Sequence, residues 1–354
     1  MNLQRFEWLL VPLVAVLAGL LLFSAFIVLI GHNPLATLAV IFEGAFGSAF
    51  SWQNTLMRAA PLLLTGLAVA LAAQAGLVII GGEGALALGG LAAAAAVMWL
   101  GGLPPSLVVI AALLAGALTA SVWIGLVGVL RAYRGLNETI ASLLLSYIAI
   151  ALFNHFVEGS LRDPSSLNKP STFPVGEAHT LGAVPGINVH WGLPIGIVLA
   201  VLAQIWVSRS VLGFSLKVAG GNSKAAKLVG LPVNALVVLA CVLSGLAAGL
   251  AGAIEVLAVH GAANASILAG YGYTGILVSF MARHQPLAII PVAVLMGGIA
   301  AAGSLLQRRL DLPDATTLVL QGCLFISILA CEALYGRLGQ VRFKSASKVA
   351  GQAT

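Results

Sequence analysis

Charge is what this sequence most lacks. Only 8% of its 354 residues are Asp, Glu, Lys or Arg, against roughly a quarter in a soluble globular domain. Acids are scarcest, 11 against 17 Lys and Arg, so the formal net charge is +6. Hydrophobic residues make up 60%, and the mean hydropathy is +1.07. The deficit excludes a soluble enzyme and predicts an all-α polytopic membrane protein. Cysteine is scarce too. Cys241, Cys323 and Cys331 lie in apolar runs with no metal-ligand spacing and no disulfide framework, and read as small packing residues. Nucleotide and metal motifs are missing. The run from Gly220 to Lys224 lacks the spacing of a Walker A loop, and there is no HExxH, no voltage-sensor row of arginines and no selectivity-filter sequence. The expectation is a chain with no cofactor, no metal and no catalytic residue of its own. The basic residues cluster at segment ends, where Lys and Arg fix topology. The expected surroundings are therefore the lipid bilayer, not nucleic acid.

What is present is a series of apolar runs. A helix needs about 20 apolar residues to cross a bilayer. Clear candidates are 9–30, 59–80, 106–129, 139–156, 235–258 and 286–303, with shorter ones at 86–100, 193–208, 270–283 and 316–334. The first run is too long for a signal peptide and reads as a span with Arg5 on the cytoplasmic side. From there the 31–54 loop is expected outside, Arg131 and Arg134 inside, the 157–192 loop extracytoplasmic and the 209–234 loop cytoplasmic. Ten spans put the tail 335–354 inside but leave Arg308 and Arg309 outside. Nine, with 270–283 re-entrant, reverse both. Ten violates the charge rule less, so the expectation is one transmembrane domain over 1–354, N-in and C-in, with about ten spanning or half-membrane helices. Gly245 and Gly249 fit GxxxG, read as packing within a tight bundle.

The polar exception is 213–232. It carries Lys217, Lys224 and Lys227 and no acid. Asn222 is placed to cap a short helix that starts at Ser223, Ala225 and Ala226 give it a small face, and Gly230 followed by Leu231 and Pro232 stops it. Such a loop either anchors orientation or docks a soluble partner, and the capped alanine face favours docking. Elsewhere, Glu83 among Gly81, Gly82 and Gly84 reads either as a functional intramembrane acid or as a cap for the helix at 85–100. Asn137 and Glu138 read as a cap. Ser146 and Asn154 can hydrogen-bond a solute, and Tyr147 and Phe153 can stack on a base; all four can equally be helix–helix glue. Glu255 and His260 face a solute or pair structurally.

Four stretches, 76–90, 136–149, 213–232 and 244–286, occur in an order and spacing that resembles the permease subunit of bacterial ABC importers for nucleosides and simple sugars, in the branched-chain amino acid/ribose-type permease superfamily. Gly76, Leu77, Ile80, Gly81, Glu83 and Gly84 match that family's first motif, with Ile79 replacing an Asn and Ala85 a Gln. Asn137, Glu138, Ile140, Leu143, Leu145 and Tyr147 match the second, with Ser146 for an Asn. Leu216, Gly220, Asn222, Ala225, Ala226 and Gly230 match the third, with Lys217 and Lys227 for arginines. The resemblance implies a type II ABC importer fold in the bacterial inner membrane. It implies a coupling helix formed by Lys217, Gly220, Asn222, Lys224, Ala225, Ala226, Lys227 and Gly230. The implied partners are cytoplasmic ATPases that bind the ATP, a substrate-binding lipoprotein and a second, homologous permease in a heterodimer. The rival expectation is a stand-alone secondary transporter, whose coupling acids would have to be Glu83 and Glu255.

Overall fold

The computed structural model describes residues 7–334, and side chains over 13–331; Arg5 and the tail 335–354 lie outside that range. The described residues form thirteen α-helices and isolated β-bridges. They fall into two units, one made of Met1–Ser51 with Ile299–Thr354, the other of Trp52–Gly298.

In the first unit α1 (Glu7–Leu29) turns through 118° into α2 (Pro34–Phe46). The 31–54 stretch was expected as a loop, and this is a correction. Asn33 accepts hydrogen bonds from the N–H groups of Leu35 and Ala36, and Pro34 takes the first helical position, where its missing N–H costs nothing. An Asn-Pro pair that looks like a turn is here a helix start. Later in the chain, α12 (Pro286–Leu310) and α13 (Thr316–Leu334) contribute to this unit. A Cβ on Gly19 would meet the Leu324 backbone at 2.9 Å, so α1 and α13 touch at a glycine. Arg309 forms a two-armed ion pair with Glu43 of α2, its second arm at 2.8 Å.

The second unit runs through α3 (Ala49–Gln74), α4 (Gly82–Leu100), α5 (Pro105–Arg134), α6 (Glu138–Glu158), α7 (Gly192–Arg209), α8 (Val211–Gly221), α9 (Ser223–Leu228), α10 (Val233–Ile254) and α11 (Tyr271–Met281). Its centre is α4, α5 and α10, packed backbone to backbone. A Cβ on Gly249 of α10 would lie 2.5 Å from the Ala120 side chain of α5, and one on Gly89 of α4 would lie 2.5 Å from Gly249 itself. In lipid, where the hydrophobic effect does not drive helices together, such close approach supplies the dispersion contact that does. The GxxxG expectation therefore resolves to contacts inside the chain. The core beneath is alanine and aliphatic, with Leu86, Ala112, Ala149, Phe153 and Ile254 fully enclosed.

Seven described helices are long and apolar enough to cross a membrane, or eight if the bent α1–α2 pair is one span. Each of the ten expected apolar segments is met by a helix, with shifted bounds. The 59–80 expectation becomes α3, which begins at Ala49 and stops at Gln74; residues 75–81 are non-helical, and Gly76 at φ +71° makes the turn. At 1.5 Å per residue, the 11 residues of α11 reach about 16 Å, half of the roughly 30 Å hydrocarbon core.

The 159–191 segment is stitched to the chain between α10 and α11. Thr172 and Val175 donate backbone hydrogen bonds to the carbonyls of Ala263 and Gly261, at 3.0 and 2.8 Å, and Leu181 donates to Leu257 at 2.9 Å.

Candidate functional site

The sequence-predicted residues gather at three places: the broken helices around Glu83, the end of α10, and the basic turn at α8–α9. All lie in the second unit.

Glu83 sits in the first turn of α4 and is 2% exposed. It caps neither its own helix nor an open site. Its Oε1 accepts the Gly270 N–H at 2.8 Å and its Oε2 accepts the Gly272 N–H at 2.6 Å. The carboxylate thus caps α11, 187 residues away in sequence, against the positive end of that helix dipole. The contact is possible because Gly272 has no side chain; a Cβ there would lie 2.6 Å from the Glu83 Cα. As the capping reading expected, Glu83 stands in the first turn of the 85–100 helix, but its oxygens are engaged by the backbone at the start of another helix.

Ser146 of α6 continues the same joint. Its Oγ accepts the Gly84 N–H at 2.9 Å, and one turn earlier the Ser142 Oγ accepts the Ile80 N–H at 3.0 Å. The Ser146 hydroxyl thus ties α6 to the start of α4. Phe153 is fully buried in the core, so it is not placed to stack on a solute. Asn154 is half-buried, and Tyr147 is exposed. Asn137 does cap α6, accepting from the N–H groups of Thr139 and Ile140, while Glu138 pairs with Arg131 at 3.2 Å.

Glu255 opens a single π-helical turn, Glu255–His260, that ends α10. Its carboxylate is fully enclosed and lies 3.5 Å from Nε2 of His260. Arg58 of α3 adds a positive field. Of the two readings, the geometry provides the structural pair.

At the end of the unit that carries Arg131 and Arg134, α8 and α9 meet at Asn222. The Asn222 Oδ1 accepts the Ala225 N–H at 3.0 Å, and Gly230 at φ +83° turns the chain out of α9. Lys217, Lys224, Ala225 and Lys227 are exposed, as are Asn222 and Gly230. Two members of the expected set face inward instead. Ala226 is fully buried in a cluster with Leu216, Val233 and Leu236. Gly220 packs on the end of α3, where a Cβ would lie 2.6 Å from the Gln74 carbonyl. These two build the loop rather than present it. Sequence reasoning missed Leu228 and Val229, which are 89% and 72% exposed at the tip of α9; an apolar pair ending a short basic helix was the available signal. Beside them opens a cleft of about 600 Å³ lined in part by Arg131, Gly135, Asn222, Lys224, Lys227 and Asn234.

Fold and site together define a multi-pass membrane protein with a basic, capped surface turn and buried acids satisfied from within. The family described as branched-chain amino acid transport system / permease component matches residues 51–329, and the chain belongs to it. Among its relatives, a glucose ABC transporter permease protein of Haloferax volcanii is 29% identical, over 91% of this chain and 87% of its own. A guanosine ABC transporter permease protein of Bacillus subtilis is 27% identical, over 97% and 99%. A nucleoside ABC transporter permease protein of Lactococcus lactis is 28% identical, over 81% of each.

Proposed function

We propose that this chain is the membrane subunit of an ATP-driven ABC importer that moves a neutral nucleoside or simple sugar across the bacterial cytoplasmic membrane. The names of its relatives, glucose, guanosine and nucleoside permeases, support that solute class and span both halves of it. The chain supplies the pathway and no covalent chemistry. A separate ATPase binds ATP, a lipoprotein delivers solute from outside, and a second, homologous permease completes the pathway.

The observation that carries the reading is α9. A helix of six residues is too short to be stable alone. Here it is held by the Asn222 cap, the buried Ala226 and the Gly230 turn, and it presents Lys224, Ala225, Lys227, Leu228 and Val229 outward. An apolar tip with a basic flank suits a groove in a soluble partner, so α8 and α9 are the coupling element to the ATPase. The state of the buried acids supports the same reading over a self-powered transporter. Glu83 is held by two backbone N–H groups and Glu255 faces His260, which leaves neither open to an ion. The Glu43–Arg309 pair supports ten-span parity, since that topology alone of the two puts both residues on one side, with N-terminus and tail inside.

The test is made on the exposed face. Ala225→Trp and Leu228→Asp are expected to abolish copurification of the ATPase and to cut ATP-dependent uptake of tritiated guanosine at least about ten-fold, with normal amounts of the chain in the membrane. Uptake by proteoliposomes that contain no ATPase would sink the reading.

A further inference from the structure

The joint at Glu83 lies at a particular depth. α6 has 21 residues, about 31 Å at 1.5 Å per residue, and Tyr147 stands nine residues after Glu138, close to its middle. Gly84 and Ser146 are hydrogen-bonded, so the N-terminus of α4 meets α6 at this level. From there α11 runs back toward the end of α3, where the Gln74 side chain donates to the His284 carbonyl at 2.9 Å. Two broken helices therefore begin side by side halfway through the apolar layer. Irregular backbone at that depth occurs where it is buried in protein or lines a cavity.

Two phenols stand on the surface beside this joint. Tyr147 is 58% exposed and Tyr273, the third residue of α11, is 41% exposed. Tyr147 follows Ser146, which is bonded to Gly84, and Tyr273 follows Gly272, which is bonded to Glu83, so the two phenols flank one joint. Along α6 the flanking exposed residues are aliphatic: Ile140, Leu144 and Ile148. Tyrosine in a span belongs at the two membrane–water interfaces, where the ring is in lipid and the hydroxyl in water. A pair at mid-depth facing hydrocarbon would forfeit that hydration. Solute sites of transporters built from broken helices lie at this depth.

We propose that Tyr147 and Tyr273 form an aromatic ledge at mid-membrane that faces the aqueous pathway and contacts a flat, uncharged, hydroxylated ring of the solute. The solute class rests on the transport reading above; the position of the ledge does not. Stacking on two rings tolerates different bases and the apolar face of a sugar, and the phenols supply hydrogen bonds at their rims. The lack of charge follows from Glu83. In broken-helix transporters a free helix N-terminus takes the anionic group of the substrate; here Gly270 and Gly272 already donate to the chain's own carboxylate. The ledge thus selects against anions and for neutral rings.

Thiol accessibility tests the position without any solute. In the full chain with Cys241, Cys323 and Cys331 changed to Ala, Tyr147→Cys and Tyr273→Cys are expected to react with a charged methanethiosulfonate in native membranes. Val122→Cys is the control: exposed, on α5, twelve residues from Arg134 and so at similar depth, it is expected to stay inert. Two ledge thiols as inert as that at position 122 would overturn the proposal, whatever the protein carries. Uptake then tests contact. With tritiated guanosine and labelled glucose as probes, Tyr147→Ala and Tyr273→Ala in the complete transporter are expected to lower uptake per assembled complex about ten-fold. The Phe variants are expected to restore most of it for guanosine. A loss that follows the amount of paired permease instead would assign the ledge to the partner subunit and overturn the proposal. If the wild-type complex takes up neither probe, the transport reading fails on its own, and the modification pattern still decides the ledge.

Discussion

The two buried acids invite comparison. Glu83 and Glu255 are equally hidden, both on glycine-rich stretches of helix. They are satisfied by different means. Glu83 accepts two backbone N–H groups at 2.8 and 2.6 Å, fixed in direction by the start of α11. Glu255 faces one side chain, His260, at 3.5 Å, with Arg58 adding field. The first arrangement is rigid and specific, because the donors cannot turn away. The second can rearrange when a rotamer does. The first therefore holds the architecture and the second adjusts the end of a helix.

Removing the acceptor at Glu83 is the largest break available. Glu83→Ala strands two N–H groups, the Gly272 one fully buried. A stranded buried donor costs about 1–3 kcal/mol, so a loss of about 2–4 kcal/mol and a fall of about 10 °C in the detergent melting temperature are expected. Glu83→Gln keeps one acceptor and should fall between. A thermal-shift assay showing wild-type melting for Glu83→Ala would remove the clamp from the account of the fold.

Glu255→Gln probes the other side of the comparison. Gln has the shape of Glu, and its amide oxygen still accepts from His260, so packing and the hydrogen bond are both kept. The expected cost is about 1 kcal/mol, the worth of one weakened hydrogen bond, read in the same assay. A loss as large as that of Glu83→Ala would mean that the His260 and Arg58 pairing is as stringent as the backbone clamp, and the contrast would collapse.

Much of this was legible in the sequence where the signal is local. The apolar runs, the Asn137 and Asn222 caps and the Gly230 stop are each read from residues within one helical turn of their effect, and each is where it was expected. Capping needs no knowledge of the rest of the chain. What was not legible depended on distant partners. Nothing near Glu83 announces that its oxygens belong to Gly270 and Gly272. Ala225 and Ala226 look alike in sequence, yet one faces out and the other is enclosed by Val233 and Leu236 of the next helix. Tyr273 was passed over because its significance lies in the joint it shares with Tyr147 of another helix. The 31–54 stretch failed for a local reason, since Asn-Pro starts helices as readily as turns.

The smallest expected effect concerns two histidines held in their neutral form by burial. His190, in the segment before α7, and His284, in the turn after α11, are both shifted below the ordinary histidine value because their surroundings exclude water, a shift the Met57 carbonyl partly offsets at His190. His284 also shares a 2.8 Å hydrogen bond with Ser279. The unfolded chain then binds protons that the folded one resists, so stability rises with pH across the interval between the two values. The contribution is full above the unfolded value near 6.5 and is lost as pH falls below it. Melting temperature should hold steady from pH 8 to 7 and fall by about 2–4 °C between pH 6.5 and 5. His284→Asn suits the positive φ of 56° at that position, which Asn tolerates, and removes one titrating ring. It should therefore shrink the acid fall while leaving the neutral plateau nearly in place. An unchanged acid slope in that variant would assign the pH response to His190 or to the carboxylates. It would also leave the turn between α11 and α12 as a passive corner rather than a place where protonation loosens the half-helix that Glu83 holds at its other end.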